Sequence, residues 1–337
     1  MSNSNSGAVR ARIAGTGMFV PPRVVTNDDL ATRMDTSDEW ISQRSGIKQR
    51  RHIDEGMKPS DLAVNAAKNA LDMAGWSASD LDCIIAPTLS SEHYFPGTAF
   101  FVARKLGHAS APAFDIRAQC SGFLYGLQMA DAFIRTGTYK KVLLVGVEVH
   151  STAVEFADRG RDVAVLFGDG AGAVCLEPTT TEPGVRNVQV HAQGEHAERL
   201  WLQIPALAEH PCLTHQMLDE GRQYPQMDGR FVFKNACMRL PEALMEAMGK
   251  AELTDDDVKL YLFHQANLRI NEFVGQMMGL APEKCPYNID KYGNCSAASI
   301  PILLDECVRS GKLARGDTFV ACAFGSGFTW GSTAITF

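Results

Sequence analysis

The chain has 337 residues, 45% hydrophobic and 21% charged, a balance that builds a substantial core or two and excludes disordered and fibrous classes. Its formal charge is -7 and its Lys and Arg residues are scattered, so no basic stripe points to nucleic acid. No apolar run is long enough to cross a bilayer. The nine cysteines contain no CxxC pair, which argues against metal and redox sites and for a reducing, cytoplasmic setting.

Residues 1–9 are polar, lack the apolar core of a secretory signal, and read as a flexible tail. "GTGMFV" (15–20) starts like a dinucleotide fingerprint but lacks the third glycine. Pro21 and Pro22 then block the helix such a loop requires, so nicotinamide cofactors are excluded. Helix-like and strand-like segments alternate from there on, the pattern of an α/β fold.

"ALDMAGWSASDLDCIIAP" (70–87) ends an Ala-rich helix, presents Ser and acidic N-cap chemistry, and enters a buried strand. A second apolar run (Ala113, Phe114, Ile116) leads to Cys120. Phe123, Leu124, Leu127, Ala130, Phe133 and Ile134 then recur at helical steps. Cys120 therefore falls at or before a helix's first turn, where unpaired N–H groups and the macrodipole favour a thiolate and can lower its pKa. The competing reading is a packed core thiol. "GDGAGA" (168–173) reads as a tight turn.

The turn-rich stretch near residues 178–185 divides two similar halves, 10–180 and 181–337. "AMGKAELTDDDVKLYLFH" (247–264) repeats the plan of 70–87, pairing Asp80 with Asp257. "NCSAASIPILLDECVRSG" (294–311) repeats "CSGFLYGLQMADAFIRTG" (120–137), which places Asn294 opposite Cys120. His264 closes a strand of four apolar residues, and Asn294 sits in a Gly-bounded turn. A structural imidazole and a helix cap are the plain alternatives to catalytic roles. Strand ends and helix starts are where open α/β sheets place ligands, so the thiol, imidazole and amide are expected in one pocket. "FGSGFTWGS" (324–332) follows a strand and offers backbone N–H groups to an oxyanion.

Six segments in order, "DTSDEWISQRSGIKQR", the Cys120 segment, "DRGRDVAVLFGDGAGAV", "FHQANLRI", "GNCSAASIP" and "AFGSGFTWGS", resemble the β-ketoacyl-acyl-carrier-protein synthase III family. The resemblance implies a thiolase-like fold, two βαβαβαββ halves in a five-layered αβαβα sandwich, and a homodimer. It implies Cys120 as nucleophile and His264 and Asn294 as the pair polarising the second substrate, with Cys120 and Ser326 supplying oxyanion N–H groups. Trp40, Arg44 and Arg159 match a coenzyme A clamp. Phe233, Asn267 and Phe324 match further substrate-binding positions. Phe95 matches the residue reaching into the partner's acyl tunnel, and Lys234 and Arg269 match a patch for acyl carrier protein. No cofactor and no metal are implied, since coenzyme A and phosphopantetheine thioesters are the substrates.

The implied reaction is a Claisen condensation of an acyl-enzyme with a malonyl- or β-ketoacyl-type thioester. Departures are Cys295 for Thr, Phe263 before the histidine, Ser326 inside the glycine loop, and a divergent 196–227 segment. "DIRAQCSG" also resembles stand-alone ketosynthases and acyltransferases of secondary metabolism, including those of quinolone and α-pyrone assembly. A ketosynthase joining two longer chains and a cysteine acyltransferase or thioester hydrolase are the alternative activities.

Overall fold

Strands Cys83–Pro87, Val142–Glu148 and Thr318–Gly325 are buried at every position, so each must be covered on both faces. The computed structural model, which describes residues 8–181 and 183–337, shows what covers them. The expected tail falls largely outside those residues.

The first sheet runs Arg10–Phe19, Gly170–Thr179, Val142–Glu148, Cys83–Pro87, Ala113–Ile116. Its first two neighbour pairs are antiparallel and the other two parallel. The second sheet runs Val185–Ala192, Thr329–Thr336, Thr318–Gly325, Leu260–Phe263, with two antiparallel pairs and then a parallel one. Four strands therefore repeat in order and sense. No counterpart of Ala113–Ile116 forms among the described residues: 286–288 lie in irregular structure, and Pro286 brings no N–H to a ladder.

Helix Pro59–Ala74 covers the outer face of the first sheet with its small side chains. Gly15 and Gly17 permit this. A Cβ on either would come within 2.3 Å of a carbonyl oxygen of that helix, Ala70 O and Ala66 O respectively, so both glycines serve strand–helix contact. Helices Gly122–Arg135 and Ser299–Arg309 lie between the sheets in one apolar cluster drawn from both. Helices Gly229–Lys250 and Leu268–Met277 cover the far side of the second sheet. The order is helix, sheet, helix, sheet, helix.

The structure corrects one register. Gln119 (φ 41) and Ser296 (φ 43) each open a 3-10 turn leading into a middle helix. Superposing these turns sets Ala297 opposite Cys120, at the same spacing that pairs Asp80 with Asp257; Asn294 is not its counterpart. Matching the closing Arg-Thr-Gly to Arg-Ser-Gly instead sets Asn294 opposite Cys120. The first helix has 14 residues and the second 11, so matching their ends displaces their starts.

Candidate active site

Cys120 occupies the 3-10 turn Gln119–Ser121 ahead of Gly122–Arg135 and is 7% exposed. A left-handed backbone at a glutamine is strained, and here it aims the next side chain inward. Burial pushes the thiol up to about 11, opposite in sense to the lowering that the helix start suggests in the sequence. The Ser296 hydroxyl lies 3.6 Å from the sulfur, and the N–H groups of Cys120 and Ser326 face it. Two backbone N–H groups beside a thiol are the arrangement that an oxyanion of an addition intermediate requires. Gly325 makes the approach possible, since a Cβ there would sit 2.7 Å from Cys120 Cβ.

His264 follows strand Leu260–Phe263, with its N–H donating to the Cys322 carbonyl at 2.8 Å. Its Nδ1 lies 2.6 Å from Ser299 Oγ, which also accepts the Gln265 N–H at 3.3 Å. The Ser299 proton is then directed at Nδ1, and Nε2 carries the ring's own proton. Nε2 is buried without a protein partner. Burial pushes the imidazole down to about 3, so the ring is neutral at pH 7.

Asn294 is held by its backbone: its N–H donates to Leu166 O at 2.8 Å, and its carbonyl accepts from Gly168 N at 3.1 Å. Its Oδ1 accepts the Ser296 N–H at 2.7 Å. That bond orients the amide so that the NH2 end is the donor left for a ligand.

These side chains converge. Cys120, His264 and Asn294 line one inner cavity of about 100 Å³, together with Phe233, Asn267 and Phe324. It adjoins a vestibule of about 720 Å³ lined by Trp40, Arg44, Arg230, Phe233 and Asn267. The guanidinium groups of Arg44, at 4.5 Å, and Arg161, at 4.9 Å, both lie over the Trp40 ring. Arg159 does not join them. Glu155 holds it at 2.7 Å and the Asp219 carbonyl accepts from it at 2.9 Å, so the cation stacked on Trp40 beside Arg44 is Arg161.

The other expected residues lie further out. Asn267 donates to Arg44 O at 3.0 Å and caps helix Leu268–Met277. Arg269 donates to Gln43 O at 2.9 Å, and both it and Lys234 are exposed. Phe324 packs edge-on against Phe328 with centroids 4.8 Å apart. Phe95 is 80% exposed.

The departures find separate uses. Ser326 turns its hydroxyl to the Leu200 carbonyl, tying the oxyanion loop to the 196–227 segment. That segment is a short strand pair, Leu200–Trp201 with Gln226–Met227, and helix His215–Asp219. Cys295 points away from the cavity into a patch with Ala298, Ile302 and Met18. Phe263 is buried in the core over the second sheet.

Four neighbours of the site escape sequence reasoning. Ser296 touches Cys120, and Ser299 orients His264. Glu148 is fully buried, bound by Ser90 Oγ at 2.6 Å and the Leu89 N–H, and also faces Ser296 and Ala297 N–H. Burial pushes it up to about 7. Its position closing the apolar run "VLLVGVE" is the one available signal. Asn271 lines the inner cavity from helix Leu268–Met277 and carries no signal in the sequence.

Comparison with known proteins identifies the family and the fold. Residues 114–194 match the family model of 3-oxoacyl-[acyl-carrier-protein] synthase III, and residues 248–337 match that of its C-terminal part. The β-ketoacyl-[acyl-carrier-protein] synthase III of Caldanaerobacter subterraneus subsp. tengcongensis is 40% identical over 97% of this chain and 98% of its own. That of Methylococcus capsulatus is 42% identical over 97% of this chain and 99% of its own. The crystal structure of the Aquifex aeolicus synthase III superposes with a TM-score of 0.89 at 40% identity, covering 97% of this chain and all of that one (100%). The priming β-ketosynthase of the R1128 polyketide pathway gives 0.88 at 30% identity, covering 96% and 95%. The five layers are thus the thiolase fold, and the chain belongs to the β-ketoacyl-[acyl-carrier-protein] synthase III family.

Proposed function

We propose that the chain loads an acyl group from a thioester onto Cys120 and condenses it with a malonyl-type thioester carried on acyl carrier protein. The observation that carries this reading is the convergence of Cys120, His264 and Asn294 on one cavity behind a vestibule. In the first step Cys120 sulfur bonds to the acyl carbon and the carbon–sulfur bond to the carrier breaks. The thiol proton ends on the departing carrier thiol. The N–H groups of Cys120 and Ser326 hold the oxyanion of the addition intermediate.

In the second step the malonyl carboxylate leaves as carbon dioxide. The enolate oxygen accepts from His264 Nε2–H and the Asn294 NH2, and the enolate carbon attacks the acyl carbon. Cys120 departs as thiolate and regains a proton. Two neutral donors aimed at one point suit an enolate, whereas hydrolysis of the acyl-enzyme needs a base, and His264 is poorly basic. This favours carbon–carbon bond formation over the hydrolase alternative.

The partners belong to the same reading. Trp40 and Arg44 with half-exposed Arg159 suit the coenzyme A nucleotide, and exposed Lys234 and Arg269 suit an acidic carrier protein. Tyr94, Phe95 and Phe100 are all more than half exposed, at 56%, 80% and 52%, which supports a homodimer that covers them. No cofactor or metal enters this chemistry. No helix among the described residues is long and apolar enough to cross a membrane, in keeping with a cytoplasmic enzyme of two halves, 10–180 and 181–337. The test is intact-mass analysis after incubation with a panel of acyl-CoA and acyl-carrier thioesters. Wild type gains one acyl mass and Cys120→Ala gains none; equal labelling of both overturns the assignment.

A further inference from the structure

Among the described residues, the inner cavity is lined by two side chains that bury polar atoms without a protein partner. One is His264, through Nε2. The other is Asn271, 6% exposed, with both Nδ2 and Oδ1 unpaired. An amide left this way loses its hydrogen bonds to water and gains none in return, so it persists only where something else supplies them. Its neighbours on the cavity wall, Ile270, Leu240 and Ala236, are apolar, and leucine at this helical position would have the better helix propensity.

Its place identifies the ligand. Asn271 lies one helical turn beyond Asn267, which lines both vestibule and inner cavity, and it shares the inner cavity with Cys120, so a carrier arm entering past Asn267 comes within its reach. Asn271 offers one acceptor and one two-proton donor side by side. A secondary amide, with a C=O and an N–H, matches both, whereas a ketone or thioester oxygen satisfies the donor alone. We propose that Asn271 binds an amide of the pantetheine arm that all carrier thioesters share. This rests on the reading that such thioesters are the substrates.

The experiment compares wild type with Asn271→Leu and Asn271→Ala, measuring KM and kcat with an acyl-CoA and with the same acyl group as a simple ethyl thioester, which has no amide. Both variants are expected to raise KM for the acyl-CoA about five- to tenfold, as loss of a hydrogen bond implies, with kcat nearly unchanged and ethyl thioester kinetics unaltered. Asn271→Leu is also expected to raise Tm, since it removes a buried unpaired amide; the alanine variant covers the case in which leucine overpacks the wall. Unchanged KM, or a change equal for both substrates, overturns the assignment. A KM change that tracks polarity in the acyl chain instead of the carrier overturns it in favour of an acyl-chain contact. Failure of wild type to acylate Cys120 with any thioester would remove the underlying reading as well, and is told apart by mass.

Discussion

His264 Nδ1 and the Ser299 hydroxyl lie 2.6 Å apart, and that contact decides which ring nitrogen faces the cavity. Without the hydroxyl both tautomers become accessible, and one of them turns an acceptor toward the enolate. Ser299→Ala is expected to slow condensation about tenfold, the scale of one hydrogen bond, while leaving acyl loading unchanged. Single-turnover kinetics followed by mass would show it, and equal slowing of both steps would place Ser299 elsewhere in the mechanism.

Removing the donors themselves should cost more. His264→Ala and Asn294→Ala are expected to load acyl groups normally and to lose about 100-fold or more in condensation, as oxyanion donors do when deleted. Loss of loading with condensation intact would reverse the assigned roles.

Burial of Cys120 has a kinetic signature. With its pKa pushed up to about 11, the thiolate fraction at pH 7 is small and grows tenfold per pH unit until that value. Iodoacetamide labelling of Cys120, followed by peptide mapping because exposed Cys212 also reacts, should rise in that proportion between pH 7 and 9. A plateau already present at pH 7 would show the helix start prevailing over desolvation.

The oxyanion loop separates backbone from side chain. Gly325→Ala places a methyl 2.7 Å from Cys120 Cβ and is expected to abolish acyl loading and lower Tm. Ser326→Gly keeps the N–H but removes the hydroxyl that holds Leu200. It should preserve loading within about threefold, the scale of one such bond, while hydrogen exchange quickens at Leu200–Trp201. Loss of loading in Ser326→Gly would mean that the tie to Leu200 positions the N–H.

Glu148 carries a stability prediction with a definite sign. Its carboxyl is raised to about 7 from 4.5, so the folded state holds the proton more tightly than the unfolded one. Its contribution is most favourable below pH 4.5 and is lost as pH rises toward 7. Glu148→Gln is expected to narrow the Tm difference between pH 5 and pH 8; an unchanged difference would assign the dependence to other groups.

Which of these residues the sequence discloses depends on whether a pattern marks them. Cys120 stands at the start of a helix and His264 at the end of a strand, so local periodicity places both near a sheet edge, whereas Asn294 is marked only by its Gly-bounded turn. Glu148 stands inside a run buried at every position, where an acid looks like the strand's exposed end. Arg159 and Arg161 sit two apart in "DRGRD", and which one stacks on Trp40 depends on contacts from Glu155 and Asp219 that local sequence does not show. Asn271 reads as an ordinary polar helix residue until the helix is packed. The three-residue register error has a similar source, since the helices match at their ends in sequence and at their starts in space.

The layer between the two sheets has a consequence for how the molecule comes apart. Its apolar cluster takes side chains from both repeats, and neither repeat alone encloses it. A division near residue 180 would therefore be no hinge. Heating should melt the chain in a single cooperative event, and a fragment cut at that point should expose the face that its missing twin now shields.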